Sequence, residues 1–283
     1  MHAVFWSLFL DGKADELEPI DVLALYYDFR ELTPIGSDGD EMVRRLADRL
    51  ISVDLFDQAV ELLQYQVDHR LKGVARAQIA ADLALVYLFD RQPEQALAVL
   101  NRTRQAQLPE TLDCQRRLVE ARALADAGQA DLSMELISNL RGPEVDRLRA
   151  DTLWQSKQWQ KAGEQLERMH GVRWADDIPL EDQERLDILR SAIAYSFAED
   201  QLGLDRLRSK YVSKMSNSPS GAAFEVVTRP IDAKGVEFTS VVKNIAAVNT
   251  MESFLAEYRR HYLNSDRTND ANVGMAQAGA NAS

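Results

Sequence analysis

The feature that most constrains this chain is a recurrence. A small residue stands in the same context three times: Ala59 in FDQAVELL, Ala96 in PEQALAVL and Ser133 in ADLSMELI, at intervals of 37 residues. A repeat of this length marks stacked supersecondary units rather than one globular core. Leu83, Ala84 and Tyr87 precede Ala96 as Leu46, Ala47 and Leu50 precede Ala59. Ala121, Leu124 and Gly128 keep the register before Ser133. Within each half the apolar residues have helical spacing, so each unit reads as two helices. Small residues at Ala47, Ala84 and Ala121 let those helices approach, and the large residues beside them fill the groove between units.

The pattern sets expected bounds. The first pair is Glu41–Ser52 with Phe56–His69, the second Val74–Phe89 with Pro93–Gln105, and the third Glu110–Ala127 with Asp131–Leu140. A shorter fourth is Glu144–Ser156 with Trp159–Met169, where Ala150 and Leu153 keep register with Ala162. A degenerate fifth is Leu180–Glu199 with Asp205–Met215, carrying Ala192 and Tyr195. Residues 1–36 form an N-terminal helical pair, Ala3–Leu10 and Ile20–Leu32, and residues 37–215 hold the repeats. Ser216 to Gly221 has linker composition. Within 216–263, Phe238–Val248 and Met251–Tyr262 regain helical spacing and read as a cap, because the open edge of a repeat array needs an atypical terminal unit. Residues 264–283, rich in Asn, Ala, Gly and Asp, read as a disordered tail.

Charge narrows the partners. The chain carries a formal net charge of −12. Its first 42 residues hold ten acidic and two basic side chains, so most of that charge is N-terminal. Such a chain cannot neutralise many phosphates, which argues against nucleic acid and against anionic membrane surfaces. No apolar run approaches the roughly 20 residues that a membrane span needs. Ala3–Leu10 is apolar but lacks a basic flank, so it reads as a buried helix rather than a signal peptide. A lone cysteine, Cys114, permits no intrachain disulfide and fits a reducing compartment. The expected location is cytoplasmic, with the periplasm left open.

Catalytic patterns are missing. His2, His69, His170 and His261 lie in separate segments without a metal-ligand spacing. No glycine-rich phosphate loop and no G-x-S-x-G elbow occurs. Cys114 reads as a small buried hydrophobe. The acidic pairs Asp176-Asp177 and Glu181-Asp182 precede a long helix, whose N-terminus they favour. The expectation is a chain that is not an enzyme, with no cofactor and no metal.

Large, Leu-small, Tyr or Leu, a turn, then aromatic-x-x-Ala is a pattern that resembles the tetratricopeptide repeat. Leu83-Ala84, Tyr87 and Ala96 carry it best; Phe56 and Trp159 supply the turn aromatic, and Pro109 stands near the terminal proline. The departures are a period of 37 against the family's roughly 34, a turn glycine only at Gly128, and Ser133 in place of alanine. LALYYDFRELTPIG and LLQYQVDHRL also resemble the C-terminal region of large uncharacterised repeat proteins of bacteria. That likeness runs from about Val4 to Tyr262 and implies the end of a longer polypeptide. The family resemblance implies an all-α, TPR-like α-solenoid of antiparallel helix pairs, closed by the C-terminal helical cap.

Such arrays bind on the face lined by their first helices. By register that face carries Arg44, Asp48, Leu85, Phe89, Arg122, Asp126, Arg147, Asp151 and Trp154. Leu88 is its further apolar neighbour. Arg/Asp pairs four apart have two readings: intrahelical ion pairs, worth only about 0.3–0.5 kcal/mol each, or the polar margin of a peptide groove. Arg44 and Asp48 stand where the family's carboxylate-clamp version wants Lys and Asn, so that version is rejected. The expected function is a non-catalytic scaffold for a protein or peptide partner whose identity the sequence does not give. The alternatives are a structural or oligomerising region of a larger protein and an enzyme with a site invisible in sequence.

Overall fold

A computed structural model describes residues 17–29, 37–216, 220–229 and Phe254. These residues are all-α: twelve helices and no strand among them. The chain divides into two compact units, 1–129 and 130–283.

The first unit holds α1 (Pro19–Asp28), α2 (Ser37–Ser52), α3 (Phe56–Tyr65), α4 (Gly73–Phe89), α5 (Pro93–Arg102) and α6 (Glu110–Asp126). A π-helical turn, Gln66–Arg70, prolongs α3. Each helix packs on the next in the chain, and α4 also packs on α6. Proline opens α1 and α5 at the one place where its missing N–H costs nothing. Arginines from following helices close the C-termini of preceding ones. Arg76 Nε donates to the Val67 carbonyl at 2.8 Å, and buried Arg116 donates to the Leu100 carbonyl at 2.8 Å; Arg116 also reaches the Ala77 carbonyl, near the start of α4. Carbonyls that a helix end leaves without partners are thereby satisfied by a cation, which the helix dipole also favours.

The second unit holds α7 (Ala130–Leu136), α8 (Pro143–Gln155), α9 (Trp159–Met169), α10 (Asp182–Phe197), α11 (Gln201–Met215) and α12 (Gly221–Thr228). Consecutive helices from α7 to α12 pack pairwise, α9 against α10 most extensively, and α12 returns to α10. Between α9 and α10 lies the loop 170–181, where Arg173 bridges Asp176 and Glu184. Glu181 and Glu184 then form a capping box at the start of α10. Leu180, Ile188, Tyr195, Leu207, Tyr211 and Phe224 share one buried cluster.

Five helices, α2, α4, α6, α8 and α10, end in the same turn. The residue at the bend has a left-handed backbone: Asp54 (61°), Arg91 (58°), Gly128 (79°), Lys157 (59°) and Glu199 (55°). The next N–H reaches back to a carbonyl five residues earlier: Leu55 to Leu50, Gln92 to Tyr87, Gln129 to Leu124, Gln158 to Leu153 and Asp200 to Tyr195, all at 2.8–2.9 Å. This is a Schellman closure. Five residues after each bend stand Ala59, Ala96, Ser133, Ala162 and Leu204, all fully buried. Twelve before those stand Ala47, Ala84, Ala121, Ala150 and Ala192, also buried.

Some bounds differ from the sequence reading. α1 stops at Asp28, α5 at Arg102 and α7 at Leu136, while α11 begins at Gln201, four residues before the expected start. The fifth position in the series of small residues is a leucine, Leu204. Gly221–Thr228, which follows the expected linker and to which the sequence reading assigns no element, is α12, held because Phe224 and Val227 are buried. The expected helices Ala3–Leu10, Phe238–Val248 and Met251–Tyr262 and the tail 264–283 lie outside the described residues, apart from buried Phe254.

Candidate functional site

The first helices of the pairs position every side chain of the expected binding face. In the first unit, Arg44 on α2 bonds to Glu41, one turn back, rather than to Asp48, which is exposed. Leu85 on α4 is buried. Phe89, at the end of α4, stacks on Phe56 with ring centroids 5.7 Å apart and planes 10° from parallel. On α6, buried Arg122 donates from Nε to Asp126 Oδ2 at 2.9 Å, an intrahelical pair.

In the second unit, Arg147 and Asp151 sit one turn apart on α8, and each pairs with a residue of α10. Arg147 Nη1 donates to Asp187 Oδ1 on α10 at 2.5 Å. Asp151 Oδ1 accepts from Arg190 Nη2, also on α10, at 3.0 Å. Both pairs are buried. The helices thus meet through two crossed ion pairs of opposite sense, cation then anion on α8 against anion then cation on α10. A slip of one turn would bring like charges together, so the pairs fix the register of α8 against α10. The Arg190 guanidinium also lies over the Trp154 ring at 4.9 Å. Trp154 meets Trp159 edge-on at 5.4 Å, and Trp159 packs on Phe197 at 4.9 Å.

Asp187 is the hub. Besides Arg147, it accepts from Gln183 Nε2 at 3.2 Å and lies 3.1 Å from His170 Nε2. Burial pushes its carboxyl up, but the hydrogen bonds with His170 and Arg147 outweigh that and hold it below the usual aspartate range. A second, partly buried acid, Glu167 on α9, accepts from the Tyr195 hydroxyl (2.8 Å), Arg206 (2.9 Å) and Lys210 (2.7 Å). Burial raises its carboxyl too, and those three donors bring it below the ordinary range. Burial and the Glu167 charge push the Tyr195 hydroxyl far up, so it stays a donor.

This chemistry is electrostatic locking. The nearby Ser191 hydroxyl is committed to the Gly163 carbonyl at 2.9 Å. Among the described residues no three acids, histidines or cysteines converge as a metal site, and no helix is long and apolar enough to cross a membrane. Asp187, Arg190, His170 and Glu167 escaped the sequence reading. The available signal was Asp187 and Arg190 three apart inside the apolar stretch Ile188, Leu189, Ala192 and Ile193, where a charge needs a partner. Comparison with known proteins gave no significant match to any family model, curated protein or solved structure.

Proposed function

We propose that the chain is a TPR-like α-solenoid that acts without catalysis, holding a peptide or protein partner on the face of its first helices. The observation that carries this reading is the fivefold recurrence of one hairpin turn with one pair of buried residues around it, both small in four of the five. Structural repeats of this kind serve as extended binding surfaces rather than as enclosed reaction chambers. Exposed Asp48 and the partly exposed Arg44, Phe89, Asp126 and Trp154 are the side chains of the expected face that a partner reaches. Selecting peptides from a displayed random library with the intact chain, then measuring affinity by calorimetry and the footprint by hydrogen exchange, tests it. Saturable binding with protection on α2, α4, α6 and α8 supports the reading. Folded protein that selects no peptide, or a footprint confined to second helices, ends it.

One observation favours a second reading, a structural region that stiffens a larger assembly. Arg122, Arg147 and Asp151 spend their charge on buried or part-buried pairs within the chain. Native mass spectrometry separates the two, since a stiffening region that works by self-association gives defined oligomers and no peptide complex.

A further inference from the structure

A cavity of about 300 Å³ opens in the first unit between α1, α2, α3 and the π turn. Its volume is at the low end for small-molecule sites, enough for one long side chain rather than a large cofactor. Three tyrosines wall it: Tyr26 and Tyr27 on α1, set edge to face at 5.8 Å, and Tyr65 on α3. Glu61, one turn before Tyr65, is exposed at its edge and pairs with no cation among the described residues. Gln66 is fully buried behind the wall. Its Nε2 donates to the Asp40 carbonyl at 3.1 Å, while its Oε1 has no donor. The cation in the lining, Arg70, lies 3.1 Å from Asp40 Oδ1, so its charge is already answered.

Each of these groups favours the same guest. Tyrosine faces attract a cation through their quadrupoles. An exposed carboxylate gives a charge-assisted bond to a guanidinium or ammonium. A carbonyl oxygen without a donor awaits an N–H. The π turn is itself a costly backbone choice that recurs at functional sites. The N-terminal concentration of acidic residues adds an attractive field of the same sign. We infer that this cavity receives a basic side chain, arginine or lysine, presented by a peptide partner. The inference rests on the interaction-module reading above and names the chemistry of its ligand.

The test uses the intact chain and three short capped peptides, Gly-Ser-X-Ser-Gly, where X is arginine, citrulline or glutamate. Citrulline keeps the shape of arginine and removes the charge. Calorimetry should show the arginine peptide binding saturably and the other two at least about ten-fold more weakly. Glu61→Gln and Tyr65→Leu alter exposed side chains and should leave the thermal unfolding curve in place, while each weakens the arginine peptide by roughly three- to ten-fold. Equal affinity for arginine and citrulline overturns the inference, as does unchanged binding in both variants. If the chain holds the glutamate peptide and not the arginine one, the cavity assignment fails while the interaction module stands. If library selection and all three peptides fail with folded protein, both fall together.

Discussion

Asp187 shows how much a single residue holds in this molecule. Deleting its carboxylate as Asp187→Ala leaves Arg147 buried without its anion, and the expected loss is about 3–5 kcal/mol of unfolding free energy. Urea unfolding followed by circular dichroism measures it. The double change Arg147→Met with Asp187→Leu should be much milder, because neither charge is then stranded. Glu144 gives the opposite case. Its carboxylate is fully buried at the start of α8, and neither oxygen has a hydrogen-bond partner. Glu144→Met should therefore raise stability by about 1–3 kcal/mol in the same assay. The acids also set the pH response. Asp187 and Glu167 titrate lower when folded than when unfolded, so the unfolded chain binds protons first. The stability they give is complete above the unfolded values near pH 4 and is lost as the pH falls through the lower folded ones. Denaturation midpoints taken from pH 7 down to pH 3 should fall at the acid end, with a shallower fall for Asp187→Asn. Sequence alone placed Arg147, Asp151 and Trp154 on one helix face. It could not supply Asp187 and Arg190, because partners some 40 residues away depend on how the loop 170–181 returns the chain.

At the scale of the element, the hairpin was legible and its bend was not. Apolar spacing within one helix is local, and so is the small residue that lets two helices close; Ala47 and Ala59 or Ala84 and Ala96 announce the pair. The bend carries Asp, Arg, Lys and Glu at left-handed backbone where only Gly128 is the residue that conformation favours. The Schellman bonds select the geometry through the backbone, so no side-chain signal marks it. Non-glycine residues in that region carry a cost of about 1 kcal/mol. Lys157→Gly should accordingly stabilise the chain by roughly 0.5–1 kcal/mol, and Gly128→Ala should destabilise it by about as much; chemical unfolding of both variants checks the sign. The bends also give the aromatic signature a purpose. Phe56 and Trp159 each stand three residues before the buried small residue, and each packs on the aromatic ending the next first helix, Phe89 or Phe197. The π turn after Tyr65 and the helix Gly221–Thr228 had no such local sign. The second depends on burial of Phe224 against α10 and α11.

For the whole molecule, charge is the property that reaches beyond contact distance. With a net charge of −12, concentrated in the first 42 residues, a basic partner is drawn in over about the Debye length and less so as salt shortens it. Association rates measured by stopped flow with the arginine peptide should fall several-fold between about 0.02 M and 0.3 M salt, and dissociation rates should change far less. The all-α class was legible at this scale because every segment repeats one period. The division near residue 129 was not, since the sequence register runs through it without a break.

The five bends have one consequence for how this chain tolerates change in length. Between a bend and the buried residues on either side the count never varies, yet successive bends are 37, 37, 29 and 42 residues apart. All of the slack lies between one hairpin and the next. An epitope or fluorophore tag spliced into the exposed stretch 105–107, between α5 and α6, should be accepted, because the backbone closure on either side does not sense it. A single residue added at Val53–Leu55 has nowhere to go: it would turn Ala59 away from Ala47 and misalign every side chain on the rest of α3. The molecule therefore reads like text with rigid words and elastic spaces, open to lengthening only at the spaces.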